Sequence, residues 1–561
     1  MSARSVGSKS EGNSKLEKAS VNSAESTEKN RILVDTNVIE DFETDSTESI
    51  DHIFVDPAVA DYYRKVYDEC EYECRDLFDP ELTWTKQEEK KILRKNDWNV
   101  TFWCFIMFTA LNFDRYNISQ ALADDMLDDL NLTTNDYNIG RTINLVCFLS
   151  AELPSQLVSK KLGADIWIPA QMVIWSLVAV SQAAMTNKAG FYITRGLLGA
   201  AQGGFICDIC LWMSYFYNGE EFGTRLSFFY ISNPLTSALS SLLALPLLKI
   251  STSALPEGWR WMFLLEGIGT LLVGLYSFFK MPPSVVHTKA WFRKKGWYTE
   301  REEKILVNKV LRDDPTKGDM NNRQPVSLKE LKKALLDYDM WPIYGIRILG
   351  DIGVSPAANY MTLTLRKLGF STLKTNALNI PRNIITIFTM IGLSYLAEHF
   401  DERALALFTL PVWFLSCLFP LRYWPGAQVD AWGTYALLTV VLSAAPTWPI
   451  SIAWCSVNSN SVRNRAVSAA LVNMFSQAGG IIASNIYRAD DAPLYHRGNE
   501  QLIGIAFGTA ALCLFARFVY YPYRNKQKER AWNKLTKEEQ EQYSETTNDD
   551  GNKRIDFRFK Y

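Results

Sequence analysis

The stretch "TALNFDRYNIS", Thr109 to Ser119, follows a nearly unbroken apolar and aromatic run and sets Asp114 and Arg115 side by side where a membrane helix is expected. A charge stripped of water and left unpaired is costly, so ionisable residues inside a span face a partner or a watery cavity and mark a path for substrate or protons. What this pair does depends on the rest of the chain.

The 561 residues are 48% apolar and carry a net charge of -2, with a mean hydropathy close to zero. That average hides a segregation. Residues 1–95 and 522–561 are rich in Ser, Glu, Asp, Lys and Asn and poor in periodic apolar positions, a composition expected to leave both as disordered cytosolic tails. They flank a strongly hydrophobic middle. The opening "MSARSVGSKSEGNSK" lacks the apolar core of a signal peptide, so insertion is expected to be directed by the first span.

A near-neutral charge gives no electrostatic case for nucleic acid. Cys207 and Cys210 form a C-x-x-C inside an apolar run with no second pair nearby, which reads as small residues buried in a helix, and no metal site is expected. The chain's four His, at 52, 287, 399 and 496, lie outside the span interiors or at their edges. With no nucleophile and base signature beside them, an enzyme is not expected, nor a cofactor.

A span needs roughly 20 mostly apolar residues. The middle supplies them near 98–119, 138–158, 166–186, 190–213, 225–248 and 260–280, then, after a polar loop, near 341–362, 376–397, 404–422, 432–455, 466–487 and 501–521. This is an all-α membrane protein of 12 helices, read as a bundle over 96–280, a cytosolic loop over 281–340 and a second bundle over 341–521.

Basic residues near helix ends set the orientation. The break "SQALADDMLDDLNLTTNDY" has five Asp and no Lys or Arg, whereas residues 281–340 carry 13 Lys and Arg. The first is external and the second cytosolic. "KKILRK", "SKKLG", "VRNR" and "YRNKQK" agree, while the basic "RKLGFSTLK" between spans 7 and 8 falls on the wrong side. The sequon at Asn131 is then external, a candidate for glycosylation. "SKKLGAD" after span 2 and "AEHFDER" after span 8 stand at corresponding places, as in a duplicated architecture whose halves rock around a central site.

The sequence resembles the major facilitator superfamily and, more narrowly, the allantoate permease family, the fungal branch of the anion:cation symporters. The resemblance covers roughly 95 to 525. It rests on "FDRYNIS" in span 1, "CFLSAELPSQLVSKKLGADIWIP" across spans 2 and 3, "TRGLLGAAQGG" in span 4 and "GWRWMFLLEG" entering span 6. "WFRKKGWYTEREEKILVNKVLRDDPTKGD" in the loop and "AWCSVNSNSVRNRAVSAALVNMFSQAGGIIASNIYRADDAPLY" from span 10 onward add to it. It implies import of a small organic anion by proton symport: a carboxylate or sulfonate such as allantoate, nicotinate, cysteine or a sulfonate.

The resemblance also implies that Asp114 and Arg115 act in transport. Arg stays protonated and offers a planar fork to a carboxylate or sulfonate, whereas Asp can take and release a proton. Adjacent residues sit about 100° apart on a helix, so they need not neutralise each other. Arg195 and Gln202 are two turns apart on one face and are expected to line one wall with Arg115 as substrate contacts. Proton-coupled relatives often have Glu at the place of Gln202, which cannot ionise, so Asp114 is left as the proton carrier and a uniporter or exchanger stays open. Asp208 lies about 240° around the helix from Gln202 and is expected to face elsewhere.

Gly199, Gly203 and Gly204 read as close-packing positions. Arg347 and Asp351, at i and i+4, read as a self-paired bridge. Glu152, expected near the cytosolic end of span 2 and paired with basic loop residues, and Pro154, expected to kink that helix, are gating candidates. Asn473, Gln477 and Asn485 form a polar stripe, with Asn473 a further substrate contact.

The expected protein sits in the plasma membrane with both termini cytosolic and works as a monomer on protons and a small organic anion within the lipid bilayer. A non-transporting nutrient receptor and an efflux pump of the same fold are the other readings.

Overall fold

Long helices follow one another wherever the hydropathy pattern places a span, and the computed structural model describes residues 52–69, 72–253, 255–313, 335–446, 448–459, 462–546 and 551–561, with isolated positions 315, 318 and 332. Among them there is no β-strand beyond an isolated Ala290–Arg293 bridge.

The segment before the first span is not a bare tail. After α1 (Pro57–Glu69), α2 (Lys86–Asn96) opens on a capping box, in which Thr85 Oγ1 accepts from Glu88 N and the Glu88 carboxylate accepts from Thr85 N. This pairs two otherwise orphaned backbone donors. A π-turn over Asp97–Thr101 leads into α3 (Phe102–Ala121), the first span.

Then come α4 (Thr134–Leu162), α5 (Ala164–Ser181), α6 (Lys188–Gln202), α7 (Phe205–Ser214), α8 (Gly219–Leu247) and α9 (Gly258–Lys280). A polar connection carries α10 (Glu300–Asp313). The second half has α11 (Trp341–Lys367), α12 (Thr372–His399), α13 (Arg403–Tyr423), α14 (Ala431–Leu442), α15 (Trp448–Ser459), α16 (Val462–Ala483) and α17 (His496–Phe515), before α18 (Tyr521–Trp532) and α19 (Lys537–Thr546). Among the described residues seven segments are long and apolar enough to cross a membrane by length and composition alone. One of the seven, the fourth span, is split between α6 and α7, and the tenth span is split between α14 and α15, where Pro446 lies in the gap.

The split in the fourth span has a local cause. Gly204 has φ +83, a conformation costly for residues with a Cβ, and a Cβ there would lie 2.5 Å from Ser155 Cβ. Asp208 faces away from Gln202, as expected, though across a break rather than along one continuous helix: it is buried against α4, with Ser155 Oγ 3.4 Å from Asp208 Oδ2.

Apolar packing forms three clusters. One is common to both halves and joins Ile118, Leu122 and Tyr137 to Ile352, Tyr360 and Tyr487. It lies at the end of the bundle where α3 turns into α4, here the loop end. Polar links run beside it: Thr362 Oγ1 to Ser119 O at 2.7 Å, Asn138 Nδ2 to Tyr487 O at 2.7 Å and Arg366 to Asp125 at 3.0 Å. At the opposite, tail end each half keeps a cluster of its own.

Both tail-end clusters recruit residues expected to be disordered. Phe54, Tyr67, Phe78 and Trp84 are buried with Leu306 and Val310 of α10, and the Arg312 guanidinium lies 4.5 Å from the Trp84 ring centre. At the other terminus Phe559, 2% exposed, packs with Trp454 and Tyr521, and Trp454 Nε1 donates to Lys560 O at 2.7 Å. The expectation of two disordered tails is therefore corrected for 52–95 and for the described part of 522–561. Residues 1–51 lie outside the described residues. Scattered aromatics look unable to form a core when read locally, yet each set meets a partner far away in sequence.

Candidate functional site

On α3 four consecutive residues point to different neighbours. Arg115 is half-buried, its Nε donating to Gln202 Oε1 at 3.3 Å while its guanidinium lies 5.0 Å from the Phe148 ring centre of α4. Tyr116 donates to Asn233 of α8 and faces Arg382 of α12, in the other half. Asp114 and Asn117, both 0% exposed, turn into the first half. Adjacent on the helix, Asp114 and Arg115 thus enter different environments and form no ion pair with each other.

Glu152 stands on the same side as Arg115. One carboxylate oxygen accepts from Asn473 Nδ2 of α16 at 2.9 Å and from Cys207 Sγ at 3.3 Å, and the other has no partner. This corrects the expected place of Glu152: it is buried ten residues before the end of α4 and bridges to the second half rather than to basic loop residues. Pro154 is exposed, and α4 runs through it as one helix.

Asn473 therefore reaches the Arg115 layer through Glu152. Asn485, lower on the same stripe, donates to Thr142 of α4 at 3.1 Å. The Arg347–Asp351 pair is self-bridged at 2.6 Å, and Ser476 bonds both partners.

Arg195 does not join Gln202 on one wall. Gln202 goes to Arg115, whereas Arg195, 4% exposed, lies with its guanidinium 5.7 Å from the Phe191 and 5.9 Å from the Phe263 ring centres, toward Asp114. Its helix is held tightly to α4. A Cβ on Gly199 would fall 2.2 Å from Asn144 O, and Asn144 Nδ2 donates to Arg195 O at 2.9 Å. Asn131 is exposed in the turn before α4, with φ +51.

Two residues that sequence reasoning passed over belong to this region. Arg382 is half-buried on α12 with its Nε unpartnered, and Glu266 on α9 is 8% exposed near Asp114. A usable signal existed, since each is an ionisable residue inside a span. Neither has an ionisable neighbour at helical spacing to draw attention to it. Among the described residues no group of three His, Cys, Asp or Glu could hold a metal ion.

Such an arrangement can present positive charge to an anion from both halves while carboxyl groups handle protons nearby. A profile described as Major Facilitator Superfamily matches residues 104–484. The chain is 43% identical over 519 residues to an uncharacterized transporter of Saccharomyces cerevisiae, covering 92% of this chain and 95% of that protein. It is 26% identical to the major facilitator-type transporter hxnP of Emericella nidulans, over 73% of this chain and 81% of the relative. Among solved structures, the xylose transporter XylE from E. coli in a partially occluded inward open conformation aligns with a TM-score of 0.55 at 14% identity, covering 75% of this chain and 97% of the other.

Proposed function

This chain belongs to the Major Facilitator Superfamily, a transporter and not an enzyme, and we propose that it imports a small organic anion, a carboxylate or sulfonate, together with a proton by alternating access. The family motifs quoted above support placement in the allantoate permease branch. The distribution of basic residues supports cytosolic termini, and the same family resemblance supports a place in the plasma membrane.

One observation carries the reading. Arg115 from the first half and Arg382 from the second are half-buried, both within electrostatic reach of Tyr116, and neither forms an ion pair with a carboxylate among the described residues. A guanidinium removed from water without a counter-ion is left electrostatically incomplete, and a substrate carboxylate or sulfonate completes it. Because the two cations belong to different halves, an anion held between them would tie its binding to their relative position. Gln202 and the Asn473–Glu152 bridge flank the Arg115 side of this space. Asp114, behind it, is the proton carrier.

Uptake into cells lacking their own permeases, screened across radiolabelled carboxylates and sulfonates at two external pH values, tests the reading. The expected result is accumulation of one anion class that rises with external acidity and is lost in Arg115→Lys, which keeps the charge but not the fork. Binding without accumulation would make the protein a receptor, and expulsion without uptake would make it an efflux pump; either overturns import.

A further inference from the structure

Within the first half, α3 and α9 lie antiparallel, and contacts at both ends set their register. Trp259 N, opening α9, donates to Asp124 Oδ2 just beyond α3 at 2.9 Å. At the other end the Trp103 and Tyr276 rings meet at 5.2 Å. Interpolating between these contacts sets Asp114 level with residues 265–269 of α9, the turn that holds Glu266, since both helices rise about 1.5 Å per residue.

The local pattern repeats that register. Asp114 and Asn117 are one turn apart on α3, and Glu266 and Thr270 are one turn apart on α9. Asn117 lies beside Glu266 and Thr270 beside Asp114, and the Asp114 charge reaches Glu266.

The set is sealed and unsatisfied. Asp114, Asn117 and Trp175 are each 0% exposed, Arg195 4% and Glu266 8%. Both oxygens of Asp114, both of Glu266, both amide atoms of Asn117, Nε and Nη2 of Arg195 and Nε1 of Trp175 lack a well-formed hydrogen bond. The Thr270 hydroxyl instead donates to Gly267 O at 3.0 Å.

The facing charges are few. α6 brings Arg195; Tyr137 and Arg141 of α4 act electrostatically on Arg195 but on neither carboxyl. α5 contributes Trp175 but has only Asp165, at its far end, as an ionisable residue. The charged side chains of α8 that are described sit at its first turns, where Glu221 pairs with Lys309 and Arg225 with Asp97, and Tyr230 in its middle faces Cys207, Cys210 and Glu152. On α3, Arg115 points away to Gln202. One cation therefore stands against two carboxyls. With both ionised the pocket would hold an uncompensated negative charge out of water, whereas one proton on the pair leaves a carboxylate to balance Arg195.

We propose that Glu266 is a second proton-binding group of this transporter, forming with Asp114 a carboxyl pair that holds a single shared proton beside Arg195. The pair supplies the second carboxyl that Gln202 cannot be. When the proton leaves, the pocket gains one negative charge, which Arg195 alone cannot balance, so protonation state and helix packing around α3 and α9 are linked. This deepens the proton-symport reading and rests on it for its role in transport, but the shared proton itself does not depend on any substrate.

The test is accordingly substrate-free. pH-difference infrared spectroscopy on the purified full-length protein in lipid reads the protonated-carboxyl C=O stretch in the parent, Glu266→Gln and Asp114→Asn, with thermal melts as a check on folding. The parent is expected to show a protonated-carboxyl band at neutral pH, and each substitution alone should remove or displace the same band. Survival of that band unchanged in Glu266→Gln, its loss in only one of the two variants, or its absence from the parent would each overturn the pair. Should Glu266→Gln fail to fold, Glu266→Asp keeps the carboxyl, and an unshifted band there is equally fatal. If no anion is taken up in the transport screen while the shared band is present, it is the symport reading that falls and not the pair.

Discussion

The two ends of the helical bundle are built differently. At the loop end the halves share one apolar cluster and are stitched by hydrogen bonds from α3 and α4 to α11 and the segment after α16. At the tail end each half completes a cluster from its own terminal or connecting residues: 52–92 with α10 in the first half, and the last residues of the chain in the second. A transporter working by alternating access must make contacts between its halves at one end while breaking them at the other. The shared core marks the loop end as the closed one. Separate cores let the halves part at the tail end without exposing either interior.

The comparison breaks most visibly if the loop end is locked. Ser119 Oγ and Thr362 Oγ1 are 3.5 Å apart across the two halves, within reach of a disulfide. The double variant Ser119→Cys/Thr362→Cys is expected to lose nearly all uptake on oxidation and regain it with reductant, with the parent under the same oxidant as control. Full transport by the cross-linked protein, verified by a mobility shift, would mean that the loop end does not open in the cycle.

A smaller effect is expected from emptying a tail-end cluster. Trp84 lies among Phe54, Phe78 and α10, so Trp84→Ala should destabilise the protein by about 3–5 kcal/mol, lowering its melting temperature. Removal of residues 1–51 should leave the melt unchanged. A melt indifferent to Trp84→Ala would show that the first-half cluster does not need residues 52–96.

The mildest change sharpens the loop end. Asn138, 2% exposed, donates to Tyr487 O and accepts from Tyr360 OH across the halves. Asn138→Ala should cost about 1–3 kcal/mol through the groups left unpaired. Because those bonds exist only when the loop end is shut, the variant should also label faster at a cysteine introduced at Ser119. Unchanged labelling with a lowered melt would make Asn138 a packing residue alone.

The sequence by itself determined the all-helical membrane fold and singled out Asp114 and Arg115 as charges within a span, because hydropathy over about 20 residues and a charge inside it are local properties. It also paired Arg347 with Asp351, one turn apart on a single helix. What sets Glu266 near Asp114 and joins Arg115 to Gln202 and Glu152 to Asn473 was decided only by the tertiary structure. Those contacts depend on which helices pack and at what register, and a local break overrides a count of residues. Gly203 and Gly204 end α6 and start α7 afresh, so the partner of Asp208, Ser155, could not be read from a residue count. The same reason hid the folded termini. The aromatics of 52–84 and the Phe559 segment have no core in their own neighbourhood, and each becomes buried only against helices far along the chain.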